Sequence, residues 1–240
     1  MTGSGDRLVT SLNDMIDVGR LYRDAPEGLR ANMIFSADGA AAIDGRVKGL
    51  TCAADQYLLR RLRGYSDAVL VGGATARAES YGPVRLSADQ RKQRAAAGLQ
   101  EPRLAIVTLS GRLPESLRSP VGEPPVLLTS RTAAERNGLR EEAGRQVLIA
   151  GEDRVEIATA LDLLRRAGMS RILCEGGPTL LDEIVRADLL DELCVTIAPT
   201  LAGSQPLSLI TTPAMSVPLG LRLRHAVVHD DYLFLRYSRC

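Results

Sequence analysis

The chain has 240 residues, 45% hydrophobic and 25% charged, with a formal net charge of +1. That composition is enough to bury a sizeable core, in one large domain or two small ones. Near-zero charge, 3% aromatic residues and no Trp exclude the basic field and the base-stacking platform of a nucleic-acid binder.

Residues 1–28 read as a polar, loosely ordered lead-in, and residues 29–240 as a single domain. LRANMIF, Leu29 to Phe35, reads as the first strand, followed by the loop SADGAAAIDG. AADQYLLRRLRGYS has helical spacing, and DAVLVGG is a buried strand running into glycines. SADQRKQRAAAGLQEP reads as an exposed loop or a weak helix. RLAIVT, PVLLTS and QVLIA are apolar strands, and Thr132 to Glu135 fits a capping box. RVEIATALDLLRRAG is an amphipathic helix stopped at Gly168. RILC is a strand, PTLLDEIVRA a helix with Pro178 in its first turn, and LLDELCVTIAP a long strand. The end alternates around an Asp-containing turn and reads as an antiparallel hairpin. Strands alternating with helices define an α/β fold with a mixed, mostly parallel sheet covered on both faces.

Cys52, Cys174, Cys194 and Cys240 form no CxxC pair and read as reduced thiols, so a cytoplasmic location is expected. The first residues lack an apolar signal core, and no apolar run reaches membrane-spanning length. His225 and His229 share a strand face without further ligand-type neighbours, so no metal site is expected.

Ligands of such sheets bind at the carboxyl ends of the strands. Three strand ends carry the chemistry. CEGGPTLL places Glu175 beside glycines that let a ligand approach, then a helix start with free N–H groups suited to a phosphate. VGGATARAE repeats the pattern. Thr129, Ser130 and Arg131 set two hydroxyls and a guanidinium past a strand, suited to a ribose 2′-phosphate. A tight turn or a capped helix start is the alternative reading at each of the three.

SADG at Ser36–Gly39, LRGYSDAVLVGGATARAE at Leu62–Glu79, and ILCEGGPTLLDEIVRADLLDEL followed by IAPTLAG together carry a resemblance. From about Leu29 onward the chain resembles the reductase domain of bacterial riboflavin biosynthesis, the RibD C-terminal type, with its dihydrofolate-reductase-like fold. The resemblance implies NADPH lined by Ala37, Gly72, Gly73, Thr75 and Glu79, with Thr108 and Ser110 near its adenosine half. It implies that Gly176, Gly177, Pro178, Thr179, Leu180 and Leu181 carry the pyrophosphate. It also implies Asp38 and Glu175 as catalytic groups facing the substrate, and Arg63 and Arg85 as its phosphate grip. Two departures stand out: Ala40 replaces a common Arg, and Gly49 or Leu50 replaces a common aromatic.

The expected activity is NADPH-dependent reduction of a ribosylamino-pyrimidine phosphate to its ribitylamino form. A dihydrofolate or pteridine reductase, and a non-catalytic NADPH-binding protein, are the rivals. A homodimer is expected because the closing hairpin is too apolar for an open sheet edge.

Overall fold

The computed structural model describes residues 9–11, 15–118, 122–142, 144–203 and 218–240. The strands are β1 (Val9–Ser11), β2 (Gly28–Ser36), β3 (Ala68–Gly72), β4 (Arg103–Val107), β5 (Val126–Thr129), β6 (Val147–Ile149), β7 (Arg171–Cys174), β8 (Glu192–Ala198), β9 (Leu221–His229) and β10 (Tyr232–Arg239). The helices are α1 (Met15–Arg20), α2 (Ala53–Tyr65), α3 (Gly73–Ala78), α4 (Ala88–Ala96), α5 (Arg131–Asn137), α6 (Ile157–Arg166) and α7 (Pro178–Arg186). Among the described residues the strands form one sheet in the order β1-β9-β10-β8-β2-β7-β3-β4-β5-β6. From β8 to β6 every neighbouring pair is parallel. β10 runs antiparallel to both β8 and β9, as the alternating C-terminal pattern requires.

The two-sided burial follows from strand periodicity. In β7, Ile172 joins the cluster formed with α6 and α7, while its neighbour Leu173 joins the cluster formed with α2. α6 meets the first layer through Ile157, Ala160, Leu161 and Leu164, an i, i+3, i+4, i+7 stripe. α2 meets the second through Ala54, Leu58 and Leu62.

The order of the strands positions the site. The chain leaves β2, crosses to β3, builds outward to β6, then returns to lay β7 between β2 and β3. A crevice opens at such a switch in winding, outside the carboxyl ends of the strands.

Local chemistry corrects the sequence reading in four places. The stretch read as exposed loop or weak helix contains α4, whose capping box is Ser87 with Gln90. Gln90 and Arg94 are buried there, with Gln90 Nε2 donating to Arg60 O (2.8 Å) and Arg94 to Gly64 O (3.2 Å) and Asp67 (3.0 Å). α5 starts two residues earlier than the Thr132 box implies, because the Ser130 hydroxyl accepts from Ala133 N (3.2 Å). The lead-in is folded in part: Val18 and Tyr22 are fully buried against α2 and the sheet. Finally, the closing hairpin does not end the sheet, because β1 pairs with Ala226–Val228 of β9. Among the described residues no helix is long and apolar enough to cross a membrane.

A buried charge network ties the lead-in to the sheet. Glu192 accepts from Arg30 Nε and from Arg236 Nε (2.6 Å). Arg30 also donates to Tyr22 O (2.7 Å), and Arg236 to Leu21 O (2.7 Å) and Asp24 Oδ1 (2.6 Å). His225 lies edge-on to Tyr22 (4.6 Å between centroids), its pKa pushed down to about 4 by burial and then by Arg236. His229 turns instead to Asp230 (3.4 Å). Removing Glu192 would leave two buried guanidinium groups without their shared carboxylate. Glu192→Ala should therefore lower unfolding free energy by about 3–5 kcal/mol. Urea denaturation checks this, and a loss below about 1 kcal/mol would contradict the network's role.

Candidate active site

A cavity of about 420 Å³ opens at the switch point. β2 contributes Asn32, Met33 and Ile34, α2 contributes Asp55, Gln56, Leu59 and Arg63, and Glu175 stands at the end of β7. The loop after β2 supplies Val47, Lys48 and Thr51, and α3 with its following loop supplies Thr75, Glu79, Ser80 and Tyr81.

Glu175 is buried at the heart of this wall. Arg63 grips it with both prongs of the guanidinium, Nε to Oε1 (2.7 Å) and Nη2 to Oε2 (2.7 Å). The Tyr81 hydroxyl adds a third hydrogen bond to Oε2 (2.7 Å), and Arg63 lies over the Tyr81 ring at 5.5 Å. Burial works against the Arg63 charge, but Glu175 outweighs it and holds the guanidinium protonated beyond its ordinary range. Burial, and then the Glu175 charge, push the Tyr81 phenol well above its ordinary value. An ion-paired carboxylate accepting three hydrogen bonds is a fixed point of the wall.

Asp55 is the other carboxyl of the wall, and its burial raises its pKa above the ordinary carboxylate value. A hydrogen bond from Thr51 Oγ1 (2.8 Å) opposes that rise, and the Glu175 charge adds to it. Asp55 is thus a cavity carboxyl shifted toward its protonated form. Nearby, the Asn32 Oδ1 is buried without a partner and lines the same space.

The two glycine corners are one piece of structure. Gly72 N donates to Gly176 O (2.9 Å), and Glu175 N donates to Leu70 O (2.9 Å). Gly176 has φ of +87°, a region that glycine adopts freely. A Cβ on Gly177 would lie 2.3 Å from Thr75 Oγ1, so only glycine lets α3 and the start of α7 approach this closely.

Of the residues expected from sequence, Arg63, Thr75, Glu79 and Glu175 meet in the cavity wall. Glu79 Oε1 accepts from Val47 N (2.9 Å) and ties the loop after β2 across the rim. Gly72, Gly73, Gly176, Gly177, Pro178 and Thr179 line up along the adjoining carboxyl edge, with Thr108, Ser110, Thr129, Ser130 and Arg131 farther along it.

The structure places other expected residues away from the cavity wall or already engaged. Asp38 lies outside the wall on an exposed loop. Its carboxylate accepts from Ser36 Oγ, Ala202 N (3.0 Å) and Gly203 N (2.8 Å), and the Ser36 bond foremost lowers its pKa to about 2. It fastens a loop. Ala37 sits on the same exposed loop, its N donating to Thr200 O (2.8 Å). Arg85 lines a separate depression with Arg91 and Arg103. Arg63 is not a free phosphate grip, because Glu175 holds it. Leu180 and Leu181 belong to the core, and Leu181 N is already bonded to Gly177 O (3.0 Å). Arg131 pairs with Glu152 on the surface (3.2 Å).

Sequence reasoning missed Asp55, Tyr81 and Asn32. Asp55 had a signal: it sits on the apolar stripe of α2 with Leu58 and Leu62, where an acid is out of place.

A switch-point cavity, a carboxylate-rich wall and glycine corners at the strand ends make up the candidate site. Residues 28–233 match the model of the RibD C-terminal domain, and the chain belongs to that family. It is 31% identical over 175 residues to a 2,5-diamino-6-ribosylamino-4(3H)-pyrimidinone 5′-phosphate reductase of Archaeoglobus fulgidus, covering 69% of this chain and 80% of that one. It is 30% identical to the reductase of the same name from Methanothermobacter thermautotrophicus, over 88% of this chain and 99% of that one. The crystal structure of a pyrimidine reductase-like protein from Corynebacterium diphtheriae superposes with a TM-score of 0.80 at 26% identity, covering 92% and 94% of the two chains. The chain is a reductase of the riboflavin-biosynthesis type.

The raised pKa of Asp55 has a consequence for stability. Below the ordinary aspartate value of 3.8 both folded and unfolded chains hold the proton, and the group contributes nothing. As pH rises past that value the unfolded chain ionises first, and burying the carboxyl works against folding. Asp55→Asn should therefore raise the melting temperature at about pH 7 and leave it nearly unchanged at about pH 3.5. Equal shifts at both pH values, measured by calorimetry, would contradict a raised Asp55 pKa.

Proposed function

We propose that this chain is an NADPH-dependent reductase of a ribosylamino-pyrimidine 5′-phosphate, forming the ribitylamino product. The observation that carries the reading is one cavity holding the Arg63–Glu175–Tyr81 clamp and a separate buried carboxyl, Asp55, beside the glycine corners. The named activity of the archaeal relatives supports it.

The carboxyl edge fits a dinucleotide in two respects. Thr129 Oγ1 is buried there without a partner among the described residues, and Gly72, Gly73, Gly176 and Gly177 present no side chain at the corner. Gly72, Gly73, Thr75 and the start of α7 would hold the phosphates, through backbone N–H groups at a helix start. Thr129, Ser130 and Arg131 would hold the adenosine end. Arg131 is free to exchange its exposed partner Glu152 for a 2′-phosphate, because such a surface pair contributes little. NADPH supplies hydride when bound.

The chain's own residues do the rest. The C=N carbon of the open-chain substrate gains the hydride and its nitrogen gains a proton. Asp55 holds that proton, and Asn32 offers an acceptor to a substrate N–H or hydroxyl. Arg63 and Tyr81, fixed by Glu175, close the wall and keep the reacting carbon against the strand ends. Asp55 also supports a second reading, a pteridine or dihydrofolate reductase, since a buried carboxyl suits an amino-substituted heterocycle equally well.

Steady-state NADPH oxidation with each substrate separates the two. The ribosylamino-pyrimidine phosphate should be turned over, and dihydrofolate much more slowly. Glu175→Gln weakens the grip on Arg63 and should lower kcat by about a hundredfold, while NADPH affinity stays within about twofold. Turnover of dihydrofolate alone would overturn the substrate assignment, and normal turnover by Glu175→Gln would overturn the clamp.

A further inference from the structure

Helix α2 has two working sides. Asp55, Leu59 and Arg63 recur every four residues and line the cavity. At about 100° of turn per residue, Tyr57, Arg61 and Tyr65 stand on the opposite side of the helix. α1 of the lead-in lies against that far side, directly behind the cavity wall.

The contact is made through one glycine. A Cβ on Gly19 would lie 3.1 Å from Arg61 Cγ and 3.2 Å from Tyr57 Cε1, closer than ordinary carbon contacts. Gly19 O accepts from the Tyr65 hydroxyl (3.2 Å), which itself accepts from Arg61 Nη2 (2.9 Å). The Arg61 guanidinium also covers the Tyr65 ring at 5.4 Å. Val18 and Tyr22 are fully buried beside Ala54, Leu58 and Leu62 of the same helix. The lead-in is held there from behind, because Arg30 binds the carbonyl of Tyr22 and Arg236 that of Leu21 (2.7 Å each). α4 closes another side of the same stretch: Gln90 Nε2 donates to Arg60 O (2.8 Å), and a Cβ on Gly64 would collide with Gln90. The turn of α2 that carries Arg63 is thus backed by α1 and flanked by α4, and the room left to it is toward the cavity.

The lead-in supplies no residue of the cavity wall and precedes residues 28–233, which match the family. Its effect on the site must pass through α2. We propose that α1 is a backing element of the active site, with Gly19 and Tyr65 as positioning residues that set how far α2 carries Arg63 toward Glu175. This rests on the reading of the cavity as the site of reduction and adds what holds its α2 wall in place. A shift of α2 reaches Glu175 and Tyr81 as well, since the Arg63 guanidinium grips the one and lies over the ring of the other.

The test compares wild type, Gly19→Val, Tyr65→Phe and Leu161→Ala. Gly19→Val inserts a branched side chain between α1 and α2, and Tyr65→Phe removes only the hydroxyl that joins them. Leu161, fully buried on α6 in the cluster on the other face of the sheet, controls for a general loss of stability. Gly19→Val should lower kcat by about tenfold to a hundredfold and Tyr65→Phe by about threefold to tenfold, the cost of misplacing a wall that orients the reactants. NADPH affinity should stay within about twofold in both, because the glycine corners belong to other elements. Leu161→Ala should lower the melting temperature at least as much as Tyr65→Phe, yet keep kcat within about twofold. A folded Gly19→Val or Tyr65→Phe with wild-type kcat, or an equal loss of kcat in Leu161→Ala, overturns the proposal.

A second measurement needs no substrate. Hydrogen exchange by mass spectrometry reads the peptide spanning residues 79–82, where Ser80 N donates to Arg77 O (3.2 Å) and Tyr81 N to Ala76 O (2.9 Å). Exchange there should be at least about threefold faster in Gly19→Val and Tyr65→Phe than in wild type, and unchanged in Leu161→Ala. Exchange at wild-type rate in both α1-contact variants overturns the role of α1, whatever substrate the enzyme reduces. Faster exchange in a protein whose wild type reduces no pyrimidine leaves that role standing and removes the substrate reading instead.

Discussion

The grip of Arg63 on Glu175 is the interaction on which the site depends. It joins α2 to the end of β7 across 112 residues of sequence, with two hydrogen bonds of 2.7 Å each. Glu175 also hangs from β3 through its own N–H, and Tyr81 brings the loop after α3 to the same carboxylate. One buried acceptor therefore sets the distance between three separate walls of the cavity. A neutral side chain there would leave a half-buried guanidinium unmatched, and the walls would have no common point.

That point is available only because of the strand order. β7 is laid between β2 and β3 late in the chain, so its carboxyl end emerges in the middle of a crevice already bounded by α2 and α3. The glycines after Glu175 let the chain turn there without filling the space, and Gly177 accommodates Thr75 where any side chain would collide. The wall is thereby divided. Glu175 serves as anchor, Asp55 stands apart from it as a second buried carboxyl, and the carboxyl edge lies beyond them.

Much of this was legible in the sequence, and the remainder has a physical explanation. The continuous apolar runs of β3, β5 and β7 and the stripe of α6 needed only periodicity. The corners at Gly72–Gly73 and Gly176–Pro178 needed only the observation that two glycines exceed what a turn requires. Pairings distant in sequence were not legible: nothing near Arg63 announces Glu175, so Arg63 read as a phosphate grip. Asp38 stands in a conspicuous Asp-Gly motif, yet its carboxylate fastens backbone N–H groups at Ala202 and Gly203. The lead-in looked polar because single residues, Val18 and Tyr22, make its core contacts. Asp55 went unnoticed because one acid in a helix usually faces water, whereas here it is buried.

The central claim is that this cavity delivers hydride to a pyrimidine-linked sugar carbon. Reduction of the ribosylamino-pyrimidine 5′-phosphate with NADPH carrying deuterium at the transferring position of nicotinamide C4 tests it directly by mass spectrometry. The account predicts one deuterium on the former C=N carbon of the ribitylamino product, and loss of that transfer in Arg63→Ala. NADPH oxidation that leaves the product unlabelled, or full-rate transfer by Arg63→Ala, would contradict it.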